Sequence, residues 1–355
     1  MLTAILNVKN EARTIERCLR AASLAVDQIL VIDTGSTDGT PEIIESLAPQ
    51  LLAPVYLEHA PWWGWSVNRP HLFRQAALLD PDGHSLLLDA DEVVTLTGPR
   101  QPITSDGALI CRVWPGENEV WGIRVFRNSA PWQWLGEVHE LPVLPGYNPE
   151  RLNWLEVDNR NDWAESAPEA DRHARYAREA SHFAQLLADN PTDSRAAYYH
   201  AQSLMDSGQH GAAYIAFGVR GAMRHGFDEE RYLSLLKVAQ YRLAWGWPAG
   251  PVVSAFRCAI ESRPQRWEAR CQLAEYLLRQ GLDGEVSSTI SGEYPIPSCD
   301  LFLVHRPSET WLPGLLSLLG DGNIPAAQHI LDNAPRVNAH YRQQLQELID
   351  HVVHR

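Results

Sequence analysis

The chain has too few basic residues to cover its surface with positive charge. Its 30 Lys and Arg residues stand against 44 Asp and Glu residues, and the net charge at pH 7 is −14. Because nucleic-acid backbones bind to broad basic surfaces, this balance argues against non-specific nucleic-acid binding. A local basic groove is still compatible with it.

Paired cysteines and long apolar runs are also missing. The five cysteines are dispersed, with no CxxC pair among them: Cys18, Cys111, Cys258, Cys271 and Cys299. This pattern favours reduced thiols in a cytosolic protein over a disulfide framework or a zinc site. The first residues meet charge at Lys9 before any long apolar segment, so we expect neither a signal peptide nor a membrane span. The sequence predicts a cytoplasmic protein.

The amino-terminal residues alternate between apolar strands and helical segments. Leu2–Val8 and Gln28–Ile32 are short apolar runs typical of buried strands, and Ala12–Ala25 between them has helical spacing. A second helix follows, with Pro41 in its first turn. This succession of strand, helix, strand and helix predicts a parallel α/β sheet.

A carboxylate, Asp33, directly follows the second strand in a loop that contains two glycines. Glycine lets the backbone approach a ligand closely, and a carboxylate here can accept hydrogen bonds from an imide N–H or from ribose hydroxyls. The alternative is a turn that only starts the next helix, a role suited to Asp38 and Gly39. We therefore predict a ligand contact for Asp33 and a structural role for Asp38.

The chain is organised around a third apolar run, Leu86–Leu88, which ends abruptly at the acidic stretch Asp89–Glu92. On an extended chain, Asp89 and Asp91 would share a face. Two carboxylates in one cleft repel each other unless a divalent cation or another positive group neutralises them. Taken alone, the stretch fits a metal site and a simple strand end equally well.

Three segments in order, NVKNEARTIERCL, VIDTGSTDGT and LLLDADEVV, resemble the family-2 glycosyltransferases, which have a GT-A fold. The resemblance implies that the first strand end and Asp33 hold the base of a nucleotide. It also implies that Asp91 binds a divalent metal, Mn²⁺ or Mg²⁺, while Asp89 assists at the sugar or diphosphate and Glu92 is structural. The residues in question at the first strand end are Asn7, Asn10 and Glu11.

Arg69 lies between the second and third of these motifs, at the end of a segment with three tryptophans. A guanidinium can reach a diphosphate through a forked, charge-assisted contact. Relatives in the family carry an Arg-Asn pair here, whereas this chain has Asn68-Arg69 in the opposite order, so the phosphate ligand stays open. The tryptophans are expected to pack in the core or a loop.

The stretch Trp132–Glu140 resembles the W-x-G-x-V-H-E ending of a glycosyltransferase subgroup. His139 has the chemistry of a late metal ligand or a diphosphate donor. Glu137 and Glu140 both have the chemistry of a general base that deprotonates an acceptor. Neither spacing nor pattern settles which glutamate is the base, and Glu140 is preferred.

The composition changes from about Glu169 to Ala, Leu, Tyr, Arg and Gln at helical spacing. Paired helices with Pro191 and Pro264 at repeat ends resemble a degenerate tetratricopeptide (TPR) array. Three such units suffice to bury a continuous core. The sequence thus predicts a GT-A-like α/β domain with a mostly parallel sheet over residues 1–165, followed by an all-α TPR-like domain over residues 166–355.

The resemblance to family-2 glycosyltransferases implies a metal-dependent, inverting glycosyltransferase that uses a nucleotide sugar, most often a UDP-sugar in such proteins. Because helical repeats form concave surfaces that hold peptides, the expected acceptor is a peptide or protein. The alternatives are a catalytically degenerate nucleotide-binding scaffold, a glycosyltransferase acting on carbohydrate or nucleic acid, and a nucleotidyltransferase that releases pyrophosphate. The acidic net charge makes nucleic acid the less favoured acceptor.

Overall fold

The computed structural model describes residues 1–114, 118–135, 141–146, 150–159, 169–290, 311–334 and 339–354. The chain divides into two compact units, Met1–Ser166 and Ala167–Arg355. In the parts of the chain that the structure describes, no helix combines the length and the apolar character needed to cross a membrane.

The described part of the amino-terminal unit is built from strands and three α-helices. The strands are β1 (Leu2–Val8), β2 (Gln28–Asp33), β3 (Val55–His59), β4 (His84–Leu87), β5 (Glu92–Leu96), β6 (Gly107–Trp114), β7 (Asn118–Arg127), β8 (Gln133–Leu135), β9 (Leu141–Val143) and β10 (Glu150–Asn159). The helices are α1 (Ile15–Ala25), α2 (Thr40–Leu47) and α3 (Trp65–Leu79), with a 3₁₀ turn over Ala48–Gln50.

Eight of these strands form one sheet in the order β3-β2-β1-β4-β7-β6-β10-β5. The first four are parallel to one another, β7 is antiparallel to both β4 and β6, and β10 is parallel to β6 but antiparallel to β5. Strands β8 and β9 form a separate antiparallel pair. The predicted α/β fold with a mostly parallel sheet is confirmed.

The two faces of the parallel strands are covered by different helices. Leu6 of β1 belongs to the core that includes Leu19 of α1, whereas its neighbour Ile5 packs in the core that includes Leu72 and Ala76 of α3. Successive side chains of a strand point to opposite faces, so a strand covered on both sides must be apolar throughout. This is why the first two strands could be recognised as continuous apolar runs.

The carboxyl-terminal unit is all helical in its described residues, as predicted. Its helices are α4 (Glu169–Asp189), α5 (Ser194–Asp206), α6 (His210–Ala222), α7 (Asp228–Ala244), α8 (Ala249–Ser262), α9 (Glu268–Arg279), α10 (Val286–Ile290), α11 (Trp311–Gly320), α12 (Ile324–Asn333) and α13 (Ala339–Val353), with a 3₁₀ turn at Asp283–Glu285. One apolar cluster runs through this unit, from Ala180 in α4 to Ile349 in α13.

The helical unit also buries charge. Arg266 is 1% exposed, contacts Glu268 and lies 2.6 Å from Glu229 across the α7–α9 interface. Arg263 contacts Glu229 as well. Buried ions are tolerated where they are paired, so these charges depend on one another for their partners.

Candidate functional site

The predicted site residues follow three neighbouring strands of the sheet. Strands β2, β1 and β4 are adjacent and parallel, and their registers pair Val8 with Asp33 and Ile5 with Leu87. The carboxyl ends of parallel strands meet at one edge, which is where open α/β sheets bind ligands. The structure thus brings the residues that follow β1, Asp33 and the Asp89–Glu92 stretch to the same edge.

Asp33 is buried at the end of β2, and its carboxylate is held by the loop that follows. Its Oδ2 atom accepts hydrogen bonds from the backbone N–H groups of Gly35 (3.1 Å) and Ser36 (3.2 Å). Burial alone would raise the pKa of Asp33, but the hydrogen bonds from Ser36 and Gly35 outweigh it and hold this pKa below its usual value. Asp33 is therefore an ionised hydrogen-bond acceptor at neutral pH.

The loops after β1 and β2 are joined side by side. Asn10 adopts a left-handed backbone conformation with φ of 59°, which asparagine tolerates better than most residues. Four hydrogen bonds from backbone N–H groups to side-chain oxygens link the loops: Asn10 N to Ser36 Oγ (2.8 Å), Glu11 N to Thr40 Oγ1 (2.8 Å), Ala12 N to Asp38 Oδ2 (3.0 Å) and Thr37 N to Asn10 Oδ1 (2.8 Å). These contacts give Asn10 and Asp38 structural roles in addition to any ligand contact.

Asn7, near the end of β1, has a buried side-chain oxygen that is available as a hydrogen-bond acceptor. Its Nδ2 atom donates to the backbone oxygen of Asn68 at 3.3 Å. Its Oδ1 atom is buried and has no hydrogen-bond partner among the residues that the structure describes. Because buried polar atoms normally have partners, this oxygen suits a ligand N–H or hydroxyl group.

The acidic stretch is a turn and not an extended segment. Strand β4 ends at Leu87, and the N–H of Glu92 donates to the backbone oxygen of Asp89 at 3.0 Å. The Glu92 carboxylate, which is fully buried, accepts in return from the N–H of Asp89 at 2.9 Å. The backbone is therefore not the extended chain on which Asp89 and Asp91 would share a face, because reciprocal hydrogen bonds close the turn. The structural role predicted for Glu92 is confirmed.

Sequence reasoning missed Arg124, which lies on β7 and reaches this turn. Its Nη2 atom is 2.9 Å from Glu92 Oε1 and 3.6 Å from Asp89 Oδ2. Burial would lower the pKa of Arg124, but the charges of Glu92, Asp89 and Asp91 raise it. The only sequence signal was a charged residue inside the otherwise apolar strand segment Trp121–Phe126.

Negative charge is concentrated around the turn. Burial raises the pKa of Glu11, and the charges of Asp91, Asp38 and Asp89 raise it further, against a hydrogen bond from Thr14 that lowers it. The neighbouring negative charges therefore disfavour the ionised form of Glu11. A cation bound nearby would stabilise that form.

The carboxylates at this edge fit a hard divalent cation. Such ions prefer oxygen ligands, and Mg²⁺ is commonly held by one or two carboxylates together with substrate phosphates. In the described parts of the chain, no group of three or more His, Cys, Asp or Glu side chains has the spacing of a metal site. Asp91 and Asp89 are the carboxylates at this edge that could hold such an ion together with a phosphorylated ligand.

Arg69 lies in an aromatic environment on α3. The residue is only 8% exposed, and its guanidinium carbon is 5.0 Å from the ring centre of Trp65 and 5.8 Å from that of Trp134. The adjacent Asn68 is fully buried and accepts from the N–H of Trp63 at 2.8 Å. Asn68 thus organises the loop before α3, while Arg69 carries the positive charge.

Three of the predicted residues, Glu137, His139 and Glu140, lie outside the described residues, since the structure describes residues 118–135 and then 141–146. Their roles as general base and late metal ligand stay predictions. Leu135, the last described residue before the gap, belongs to β8.

Solved structures that resemble this chain include two of S. aureus TarS. The match to the first TarS structure covers 74% of this chain and 55% of the TarS chain, with 12% sequence identity and a TM-score of 0.30. Residues 1–349 of TarS in complex with UDP-GlcNAc cover 81% of this chain and 88% of their own, with 11% identity and a TM-score of 0.27. TM-scores this low support no argument about fold or function.

Sequence comparisons match this chain to a curated relative and to a family model. A TPR repeat-containing protein of Synechococcus elongatus is 31% identical over 159 residues, which cover 41% of this chain and 37% of that relative. The match thus spans little more than a third of this curated relative. Residues 3–96 match the model of the family described as glycosyl transferase family 2. From the family match, the amino-terminal unit of this chain carries a glycosyl transferase family 2 domain.

Proposed function

We propose that this protein is a metal-dependent glycosyltransferase that moves a sugar from a nucleotide-diphosphate donor, with UDP-sugars as the first candidates, to a peptide or protein acceptor. The observation that carries the proposal is the meeting of Asp33, Asp89 and Asp91 at the carboxyl edge of β2, β1 and β4, within a family-2 domain. Ligands of open α/β sheets bind at this edge.

The nucleotide would bind at the ends of β1 and β2. Asp33 is an ionised acceptor, and Asn7 offers a buried oxygen that has no partner among the described residues. A pyrimidine imide N–H and ribose hydroxyls are donors that match these acceptors. Asn10 and Glu11 lie in the loop that borders this site.

The diphosphate would lie near the Asp89–Glu92 turn. Asp91, assisted by Asp89, would hold Mn²⁺ or Mg²⁺, and a bound metal there offsets the negative charge of the leaving diphosphate. Arg124 holds Asp89 from the protein side, and its ion pair with Glu92 fixes the turn. Arg69 would supply a second positive charge to the diphosphate.

The acceptor would be deprotonated by Glu140, or by Glu137 in its place. A single base and one direct displacement at the anomeric carbon give inversion of configuration. The helical repeats of the carboxyl-terminal unit favour a peptide or protein acceptor, because such arrays present extended surfaces to chains of this kind.

Donor turnover tests the proposal. The protein is incubated with a panel of UDP-, GDP- and dTDP-sugars, with Mn²⁺ or with EDTA, and released nucleoside diphosphate is measured. We expect metal-dependent release from at least one donor by the wild-type protein and a loss of release in Asp91→Ala. Absence of turnover together with absence of metal-dependent nucleotide binding would overturn the enzyme reading.

The burial of Arg69 between two indole rings favours one second candidate, a nucleotide-binding scaffold without transfer activity. A guanidinium that stays on these rings cannot also follow a departing diphosphate. This candidate predicts nucleotide binding without turnover for every donor, even when candidate acceptor peptides are present.

A further inference from the structure

A groove of about 710 Å³ runs along α3 in the amino-terminal unit. It lies between this helix and the segment that follows β7. The residues that give it chemical character are Phe73, Arg74, Arg127, Trp132, Gln133 and Trp134. Aromatic rings with a few polar groups among them are typical of a binding site.

The groove adjoins the predicted diphosphate contact. Trp134 lines the groove, and the same indole ring is 5.8 Å from the guanidinium carbon of Arg69. Trp134 and Phe73 also pack against each other, with ring centres 5.1 Å apart. A peptide bound in this groove would therefore be separated from Arg69 only by the indole ring of Trp134.

The groove is positively charged in a strongly acidic protein. Arg74 and Arg127 are the charged residues among its described lining, which includes no carboxylate. Arg127 is already paired, because its Nε atom lies 3.0 Å from Asp106 Oδ1. Arg74 is exposed, and no described residue forms an ion pair with it. Among the described residues Arg74 is thus the exposed cation of the groove without an ion pair, and an anionic partner would complement it.

The dimensions of the groove suit a short peptide. Its lining on α3 runs from Ser66 to Ala77, which spans roughly 16 Å at the helical rise per residue. An extended peptide covers this length with about five residues. The aromatic side chains of the groove pack on one another and are already held in place. Binding a peptide against them therefore costs little side-chain conformational entropy.

We propose that this groove binds an acidic peptide segment of the acceptor, with a carboxylate of that segment paired to Arg74. The inference rests on the proposed glycosyltransferase function and adds the charge of the acceptor and the surface that receives it. The indole faces of Trp132 and Trp134 bind the apolar parts of the segment, and the adjacent end of the groove leads toward Arg69.

Peptide binding by the full chain tests this assignment directly. The probes are three fluorescein-labelled peptides, (Glu-Ser-Gly)₄, (Gln-Ser-Gly)₄ and (Lys-Ser-Gly)₄, and binding is followed by fluorescence anisotropy. We expect the acidic peptide to bind at least about threefold more tightly than the neutral one, as one exposed ion pair allows. The basic peptide should bind most weakly.

Two variants locate the binding surface. Arg74→Glu should remove or invert the preference for the acidic peptide, whereas Arg224→Glu, the same change at an exposed arginine of the helical unit, should leave it intact. Ala77→Tyr fills the groove without changing its charge, and we expect it to weaken binding of all three peptides. Circular dichroism of each variant confirms that the fold is retained.

Several results would overturn the inference: equal affinity for the three peptides, no binding of any, or an unchanged preference in Arg74→Glu. Tighter binding of tri-galacturonate than of the acidic peptide would assign the groove to an anionic carbohydrate instead. Donor turnover is measured on the same preparations. Because peptide affinity needs no donor, failure of the groove and failure of the glycosyltransferase proposal give different results.

Discussion

The guanidinium of Arg124 lies 2.9 Å from the carboxylate of Glu92, and neither side chain is open to solvent, with 11% and 0% of their surfaces exposed. Glu92 also accepts from the N–H of Asp89. The ion pair therefore fixes the buried carboxylate that closes the acidic turn, while Asp89 and Asp91 remain partly exposed. The acidic motif depends on a cation supplied by a strand far along the chain.

Removing this cation should destabilise the protein strongly. Arg124→Met leaves Glu92 buried without its charge partner, which costs about 3–5 kcal/mol in comparable pairs. Urea denaturation of the amino-terminal unit within the full chain measures the change. The double variant Arg124→Met/Glu92→Leu should recover much of the loss.

A matched control lies three residues further along β7. Arg127→Met breaks an ion pair with Asp106 in which both side chains are partly exposed, by 30% and 55%, so the loss should be smaller, about 1 kcal/mol. Equal losses in Arg124→Met and Arg127→Met would contradict the structural role given to Glu92.

Asp91→Ala should abolish the metal dependence of donor binding while the fold is retained. The carboxylate is expected to hold the cation that contacts the diphosphate, so UDP affinity with Mn²⁺ should fall to the level seen in EDTA. Isothermal titration calorimetry with UDP gives both values. Asp82→Ala, at an exposed aspartate beyond α3, serves as the control; unchanged metal dependence in Asp91→Ala would place the metal elsewhere.

Asp33→Asn should weaken nucleotide binding with or without metal. The ionised carboxylate is a stronger acceptor than an amide, and losing a charged hydrogen bond costs about tenfold or more in affinity. The two variants should therefore differ in their metal dependence. Asp91→Ala should lower UDP affinity only when metal is present, whereas Asp33→Asn should lower it with and without metal. A loss confined to the Mn²⁺ titration would contradict the role of Asp33 at the base or ribose.

Glu140→Gln should retain donor binding and lose transfer, because the amide cannot accept the acceptor's proton. Glu137→Gln, the same change three positions earlier in the segment, is the matched comparison. Single-turnover transfer, measured with saturating donor, separates chemistry from binding. If Glu137→Gln is the variant that loses transfer, the base assignment reverses.

Glu11→Gln should raise the melting temperature of the metal-free protein at pH 7. The folded-state pKa of Glu11 lies above its ordinary value, so between the two pKa values the folded protein holds a proton that the unfolded chain has released, and above both values the charged carboxylate destabilises the fold. Stability conferred by this group therefore falls as pH rises through the window between the two pKa values. The gain in Glu11→Gln should vanish below about pH 4, where the carboxyl is protonated in both states. Glu45→Gln, the same change at an exposed glutamate of α2, is the matched control.

The positions of the polar residues at the strand ends could be predicted, because each follows its strand directly in the sequence. β1 and β2 are continuous apolar runs, and Asp33 follows β2 directly, so its position at the sheet edge required only the parallel arrangement of the two strands. The helical unit was equally accessible from its composition and spacing.

Contacts that depend on distant pairing could not be predicted. Arg124 reaches Glu92 only because β7 pairs antiparallel to β4, a neighbour relation that neither strand encodes by itself. The position of Arg69 likewise depends on Trp134, which lies on another element. The turn at the acidic stretch likewise depends on the hydrogen bond from the N–H of Asp89 to the Glu92 carboxylate, which the sequence pattern did not indicate.

The four hydrogen bonds between the loop at Asn10 and the loop before α2 have a consequence for engineering donor choice. Each loop supplies side-chain oxygens that satisfy backbone groups of the other. Grafting only one of them from a relative would leave the donors of its neighbour without acceptors. If the two loops bind the donor as proposed, donor specificity should be exchanged only with both loops together, in chimaeras cut before Asn10 and after Thr40.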